Sequence, residues 1–307
     1  MASIPDEIKN SFRRGTAVVK LIYINLAVFV VVKLVYVLFF LFSPALGDIQ
    51  GKSMFYQQNI LTYLMLPASL VSLLHKPWTL ITYMFLHFDF IHILSNLLWL
   101  FWFGRIFLHY LTEKQLFTTY FIGGLAGAFL FILSYNIFPG LVQQASVAQA
   151  LGASASVTAI VISISFYTPN YTVYIPFLGP IKIKYIAIFF LVLDLLQIAS
   201  TNAGGHIAHL GGAIYGYLFS MQLKKGKDIG RTFSNIADSI IVFFRQRPKM
   251  KVSYKKQAKQ MDDHEYNQSK VEYQKEIDRI LDKIAKSGYD NLTKKEKETL
   301  FKMSNRS

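Results

Sequence analysis

The chain of 307 residues contains no cysteine. That excludes disulfides, thiol nucleophiles and thiolate metal sites, and it leaves the redox compartment open. Charge is also scarce: Asp, Glu, Lys and Arg make up 16% of the residues, against 53% hydrophobic. A chain of this length could hold two soluble domains, but this composition is that of a polytopic membrane protein. Acidic residues are the rarer sign, 18 against 32 Lys and Arg, and residues 224–307 hold 21 of those bases with 12 acids. A basic tail beside a membrane is accounted for by attraction to anionic lipid and by orientation of the spans. The lipid bilayer is therefore an expected partner and nucleic acid is not. The first apolar stretch is too long for the core of a signal peptide, and no small-x-small cleavage site follows it closely, so it reads as a span.

Segments of about 20 apolar residues suit a hydrocarbon core of roughly 30 Å. Six are expected, at about 18–43, 80–104, 115–137, 151–168, 183–201 and 204–222. The short connections carry the orientation signal. Lys9, Arg13, Arg14 and Lys20 lie in the N-terminal arm or at the start of the first span, Arg105 and Lys114 between the second and third, and Lys182 and Lys184 at the junction of the fourth and fifth. By contrast, no Lys or Arg lies between Pro139 and Ala150. Both termini are thus expected in the cytoplasm, in what reads as a bacterial cytoplasmic membrane. The fold class expected is all-α, a six-span bundle with a small helical cytosolic tail. An N-terminal arm (1–17) precedes the membrane domain (18–223). An interfacial amphipathic helix (224–248) presents Ile229, Phe233, Ile236, Ile240 and Phe243 on one face, and a linker (249–268) leads to a small helical domain (269–307). Within that domain Val271, Ile277, Ile280, Leu281 and Ile284 repeat at helical period. Gly288 stops the helix, and Thr293 to Glu296 reads as a capping box. The first loop, with "NILTYLMLPASLVSLL", is apolar enough to lie in the interface. No internal repeat is evident.

Polar groups inside spans are costly and tend to be partnered or functional. The candidates are Lys33, His87, His92, Asn96, Ser154, Asp194, His206 and His209. His92 and Asn96 are four apart and share a helix face. Gly212 and Gly216 form a small-xxx-small pair after His209, and Gly152, Ser156, Ala159 and Ser163 offer a slim face on the fourth span; two such faces let helices approach closely. Counted from the cytoplasmic ends near Arg105, Pro169 and Lys224, His92, Ser154 and His209 fall at one depth, roughly 20–23 Å up at about 1.5 Å per residue. A serine hydroxyl needs a base, and a neutral histidine in a partly desolvated cavity can serve. His209 is the candidate base for Ser154. The Ser154 backbone N–H with the His92 and Asn96 side chains could stabilise an oxyanion. With no acidic residue evident to orient the base, a Ser-His dyad is expected. Structural roles are expected for the others: His87 bonded to backbone or loop groups near the outer surface, Asp194 satisfying a neighbouring helix, Lys33 snorkelling or facing a polar pocket, and His206 structural too, since no carboxylate is evident beside it for a metal site. Neither a cofactor nor a metal is called for.

"HFDFIHILSNLLWLFWFGR", "LGASAS" and "AHLGGAIYG" resemble the His-xxx-Asn, Gly-x-Ser and Ala-His-xx-Gly-xxx-Gly signatures of rhomboid intramembrane serine proteases. The resemblance covers about residues 18–222. It implies Ser154 as nucleophile, His209 as general base and then acid, and His92 and Asn96 as oxyanion donors. The implied reaction is hydrolysis within or beside transmembrane segments of membrane protein substrates. Residues 271–302 resemble a small C-terminal domain found on some rhomboids. The chain departs from the family in having Ala155 where Gly commonly follows the nucleophile, Thr158 where a Tyr supports the base, and Trp78-Thr79 where a Trp-Arg pair anchors the first loop. Two other classes compete: a catalytically silent adaptor that binds transmembrane helices, and a transporter using Asp194 and the histidines. The oligomeric state is not legible.

Overall fold

A computed structural model describes residues 4–43, 48–175, 178–200, 202–244 and 263–304. It divides into two compact units, 1–245 and 246–307. In the first unit the helices are α1 (Ile4–Arg14), α2 (Ala17–Phe42), α3 (Ile49–Asn59), α4 (Leu70–His75), α5 (Thr79–Thr82), α6 (Phe90–Tyr110), α7 (Glu113–Ile137), α8 (Pro139–Val142), α9 (Ser154–Tyr167), α10 (Ile183–Leu196), α11 (Ala203–Lys224) and α12 (Arg231–Phe244). The second unit holds α13 (Asp263–Ser287) and α14 (Lys294–Ser304).

The fold is mostly helical, with two small antiparallel sheets that the all-α expectation omitted. Strand β1 (Leu66–Pro67) pairs with β2 (Gln149–Ala150), with Leu66 opposite Ala150; β3 (Thr172–Ile175) pairs with β4 (Gly179–Lys182), with Thr172 opposite Lys182. The first sheet ties the loop after α2 to the segment entering α9. Among the described residues α2, α6 and α7 are long and apolar enough to cross a membrane, and α9 is apolar but shorter.

The second span requires correction. Residues 80–89 do not start it: they form α5, a 3-10 turn over Tyr83–Phe85 and an extended stretch to Asp89, and the helix runs Phe90–Tyr110. Burial is the reason: Tyr83 and Met84 are spent against Gly124 of α7 and Leu86 in a cluster with Tyr56 and Leu61 of the first loop. The fifth helix likewise ends at Leu196, short of residue 201, and α13 begins at Asp263, inside the stretch expected as linker.

The centre of the first unit is a three-helix seam of α7, α9 and α11 closed by small residues. A Cβ at Gly216 would lie 2.5 Å from the Ala159 carbonyl oxygen, one at Gly127 2.6 Å from the Ala155 Cβ, and one at Gly212 would overlap the Ala155 carbonyl oxygen. Gly212 and Gly216 therefore pack as expected. Ala159 of the expected slim face meets Gly216, but Gly212 meets Ala155, which was not on it; Ser156 turns toward Gly124 of α7, and Gly152 toward His92. Helix α2 joins through a buried polar relay: Asn25 Nδ2 donates to the Tyr120 hydroxyl (3.1 Å), which donates to the Met84 carbonyl (2.9 Å). Lys33 is seated over the Phe88 ring, 3.9 Å from its centroid, a cation–π contact where a polar pocket or snorkelling was expected.

The first loop is tied down by hydrogen bonds. Tyr56 donates to the Val32 carbonyl (3.0 Å), Trp78 Nε1 to Tyr63 (2.8 Å) and Asn136 Nδ2 to Ala68 (2.8 Å). Meanwhile Leu70, Val71 and Leu74 on α4 stay exposed, an apolar edge that suits an interfacial setting. Helix α12 docks at the start of α7 through stacked Phe233 and Phe121 rings and a Lys114–Asp238 ion pair. Ile229, expected on its apolar face, precedes the helix, and the side chains of Ile240 and Phe243 lie outside the described residues. In the second unit Ile277, Ile280 and Leu292 are buried, Gly288 takes φ +79°, and the capping box forms as expected: Thr293 N donates to Glu296 (2.7 Å) and Glu296 N to Thr293 Oγ1 (3.4 Å). The expected linker at 249–262 lies outside the described residues.

Candidate active site

Ser154 is the first residue of α9. The N–H groups of a helix's first turn have no intrahelical acceptor and carry the positive end of the helix dipole, so the Ser154 amide sits where an anion is favoured. The turn that delivers it depends on Gly152, at φ +122°, where a Cβ would come within 2.9 Å of His92 Nε2. Glycine is demanded twice there, by the backbone and by the imidazole beside it.

Helices α6, α9 and α11 start at the same end of the bundle, and His92, Ser154 and His209 stand third, first and seventh in them. One cavity of about 550 Å³ is lined by all three, together with Asn96, Thr158 and Asp194. The residues picked out of the sequence for chemistry are thus brought together, Ser154 and His209 included.

The roles available to them differ in detail. His92 lies against Gly152, close to Ser154. Asn96 Nδ2 donates to His87 Nε2 (3.1 Å) and to the His92 carbonyl of its own helix (3.0 Å), so both amide hydrogens are engaged. His87 is fully buried, as expected of a histidine bonded to backbone and loop groups. Its Nε2 also accepts from the Ala153 amide (3.3 Å), and its Nδ1 lies 3.3 Å from the Phe85 carbonyl. One tautomer, protonated at Nδ1, satisfies every one of these bonds. His87 therefore clamps the loop before α6 to the turn before Ser154, aided by the Gly152 amide donating to Tyr83 O at 2.9 Å.

The expectation that no acid would stand near the base is overturned. Asp194 Oδ1 lies 2.9 Å from His209 Nδ1 and 2.8 Å from His206 Nδ1. The carboxylate thought missing beside His206 is the same group, and the donor atoms of Asp194, His206 and His209 lie within 4.8 Å of one another, the set that could hold a metal ion. A signal for this existed: Asp194 is two residues from the end of α10 and His206 is three into α11, so a short reversal puts them at one height.

Fold and site together define a mostly helical membrane protein in which a hydroxyl at a helix start, an imidazole and a carboxylate line one cavity. Comparison names the domain. The rhomboid domain profile matches residues 74–225, and a family of unknown function matches residues 262–306. RHOMBOID-like protein 12, mitochondrial, of Arabidopsis thaliana is 30% identical over 158 residues, which are 48% of this chain and 47% of that protein. The chain thus spans about half the length of this curated relative. Residues 74–225 therefore carry a rhomboid domain.

Proposed function

We propose that the chain is an intramembrane serine endopeptidase that cleaves peptide bonds within or next to transmembrane segments, with six spans and both termini in the cytoplasm. The observation that carries this reading is the shared cavity: Ser154 at a helix start and His209 with Nδ1 turned to a carboxylate, which leaves Nε2 as the ring nitrogen available to the hydroxyl.

In this reading Ser154 Oγ attacks the scissile carbonyl carbon as His209 Nε2 takes its proton. The tetrahedral oxyanion is held by the Ser154 amide and the His92 ring. Asn96 contributes if its amide leaves its resting partners, and otherwise acts by aligning His87. Collapse expels the amine, which takes the proton from His209, and water repeats the sequence on the acyl-enzyme. Each oxyanion donor is worth about 10²- to 10³-fold in rate. An intact helix hides its carbonyls in internal hydrogen bonds, so the substrate segment must unwind to react.

Ser154→Ala and His209→Ala are each expected to abolish cleavage of a single-span model substrate reconstituted with the protein, with the thermal unfolding midpoint retained. Undiminished turnover would refute the assignment. A fluorophosphonate should label the chain at Ser154; a folded preparation that takes no label would favour the adaptor.

A further inference from the structure

Resting on that hydrolytic reading, we infer that Asp194 is a positioning residue for His209 and that His206 is the clamp holding its carboxylate. A single oxygen, Asp194 Oδ1, meets both ring Nδ1 atoms, at 2.9 and 2.8 Å. A carboxylate only accepts, so each Nδ1 carries a proton and each Nε2 is the basic nitrogen. For His209 that is the tautomer a base acting on Ser154 requires. The negative charge also offsets the positive charge the ring gains when it takes the hydroxyl proton, in a cavity where fixed charges act at short range.

The surroundings leave this task to α10. Along the cavity wall α9 contributes Ser154, Val157 and Thr158, none of them aromatic, and α6 contributes His92, with Asp89 just before it. On α11 the His206 ring faces the His209 ring, with centroids 5.8 Å apart. Asp194 and His206 are each about one-seventh exposed and His209 about one-fifth, so Asp194 and His209 line the cavity while the cluster is largely shielded from bulk water. Along α10 itself the buried residues are Ile183 and Ala187, both toward its start. The Asp194 pairings therefore also tie the far end of this helix to α11, and without His206 the carboxylate would have one tether instead of two.

The test uses the full-length protein in detergent and a fluorophosphonate. Ser154 Oγ forms a bond to phosphorus, fluoride leaves, and the hydroxyl proton passes to His209, so labelling reports the base without a natural substrate. The maximal labelling rate and the half-saturating probe concentration are measured separately. Asp194→Asn should lower the maximal rate on the order of 10²-fold or more with half-saturation unchanged. Asp194→Glu should restore a large part of that rate, and His206→Gln should slow labelling by less than Asp194→Asn. A wild-type maximal rate in Asp194→Asn overturns the inference while leaving the hydrolytic reading intact. Equal slowing in the Asn and Glu variants, with both unfolding midpoints lowered, overturns it in favour of a purely structural acid. Labelling of the native protein that is quenched by added Zn²⁺, restored by a chelator and insensitive to the metal in His206→Gln would make the three groups a metal seat and overturn it too. No label at Ser154 in the native protein removes the reading on which the inference stands.

Discussion

At the residue scale, the site is built from positions where one atom more is too many. Gly212 illustrates how competing terms decide the sign of a substitution. In an exposed helix interior, Gly→Ala would be worth about 1 kcal/mol of added stability. Here the new methyl meets the Ala155 carbonyl, which is backbone and cannot rotate away. Overpacking costs about 1–3 kcal/mol, so Gly212→Ala should be net destabilising, read as a lower unfolding midpoint, and should slow fluorophosphonate labelling because the seam carries both Ser154 and His209. His87→Ala should spare the nucleophile and base yet cut labelling, since the Ala153 amide and Asn96 lose a shared acceptor. The sequence announced Ser154, His209, His92 and Asn96 through spacing on their own helices. It concealed the Asp194 pairing, though a short hairpin hinted at it, and it concealed the His87–Ala153 bond altogether, because 66 residues and a change of element separate the two. Asn25, whose amide is buried against Tyr120, escaped notice for the same reason.

At the scale of elements, hydropathy alone located α2 closely, and α7, α9 and α11 are each preceded by a chemical marker. Thr112 closes a capping box at the start of α7, and Gly152 and Asn202 precede the other two sites of turning. The start of α6 was missed because the apolar run at 80–86 is equally consistent with lipid contact and with burial within the protein. Hydropathy cannot tell these apart. The capping box of α14 allows a pH prediction. The Thr293 backbone and hydroxyl donors, with the Lys283 ammonium, hold the Glu296 carboxylate down to about 2. A depressed carboxylate stabilises the fold above its ordinary value, and the contribution is lost as pH falls toward the depressed one. Hydrogen exchange of the α14 amides in the full chain should therefore quicken as pH drops from about 4 toward 2, after correction for intrinsic exchange. Glu296→Gln should exchange fast throughout and lose that step.

For the whole molecule, the charge asymmetry of the connections makes topology directly testable. The natural absence of cysteine means that single introduced thiols report without background. Lys9→Cys and Lys275→Cys should react with an impermeant maleimide only after the membrane is opened, and Gln143→Cys should react in intact cells. A reversed pattern would invert the proposed orientation.

The α9–α11 seam, where glycines meet carbonyl oxygens with no side chain interposed, carries a consequence for how the protein can change over time. Because peptide units set the heights of the hydroxyl and the imidazole, the oily outer surface is released from any duty to hold them in register. Exposed positions such as Val31, Leu34 and Phe189 should therefore accept almost any apolar exchange in a saturation library, while the two glycine steps accept next to none.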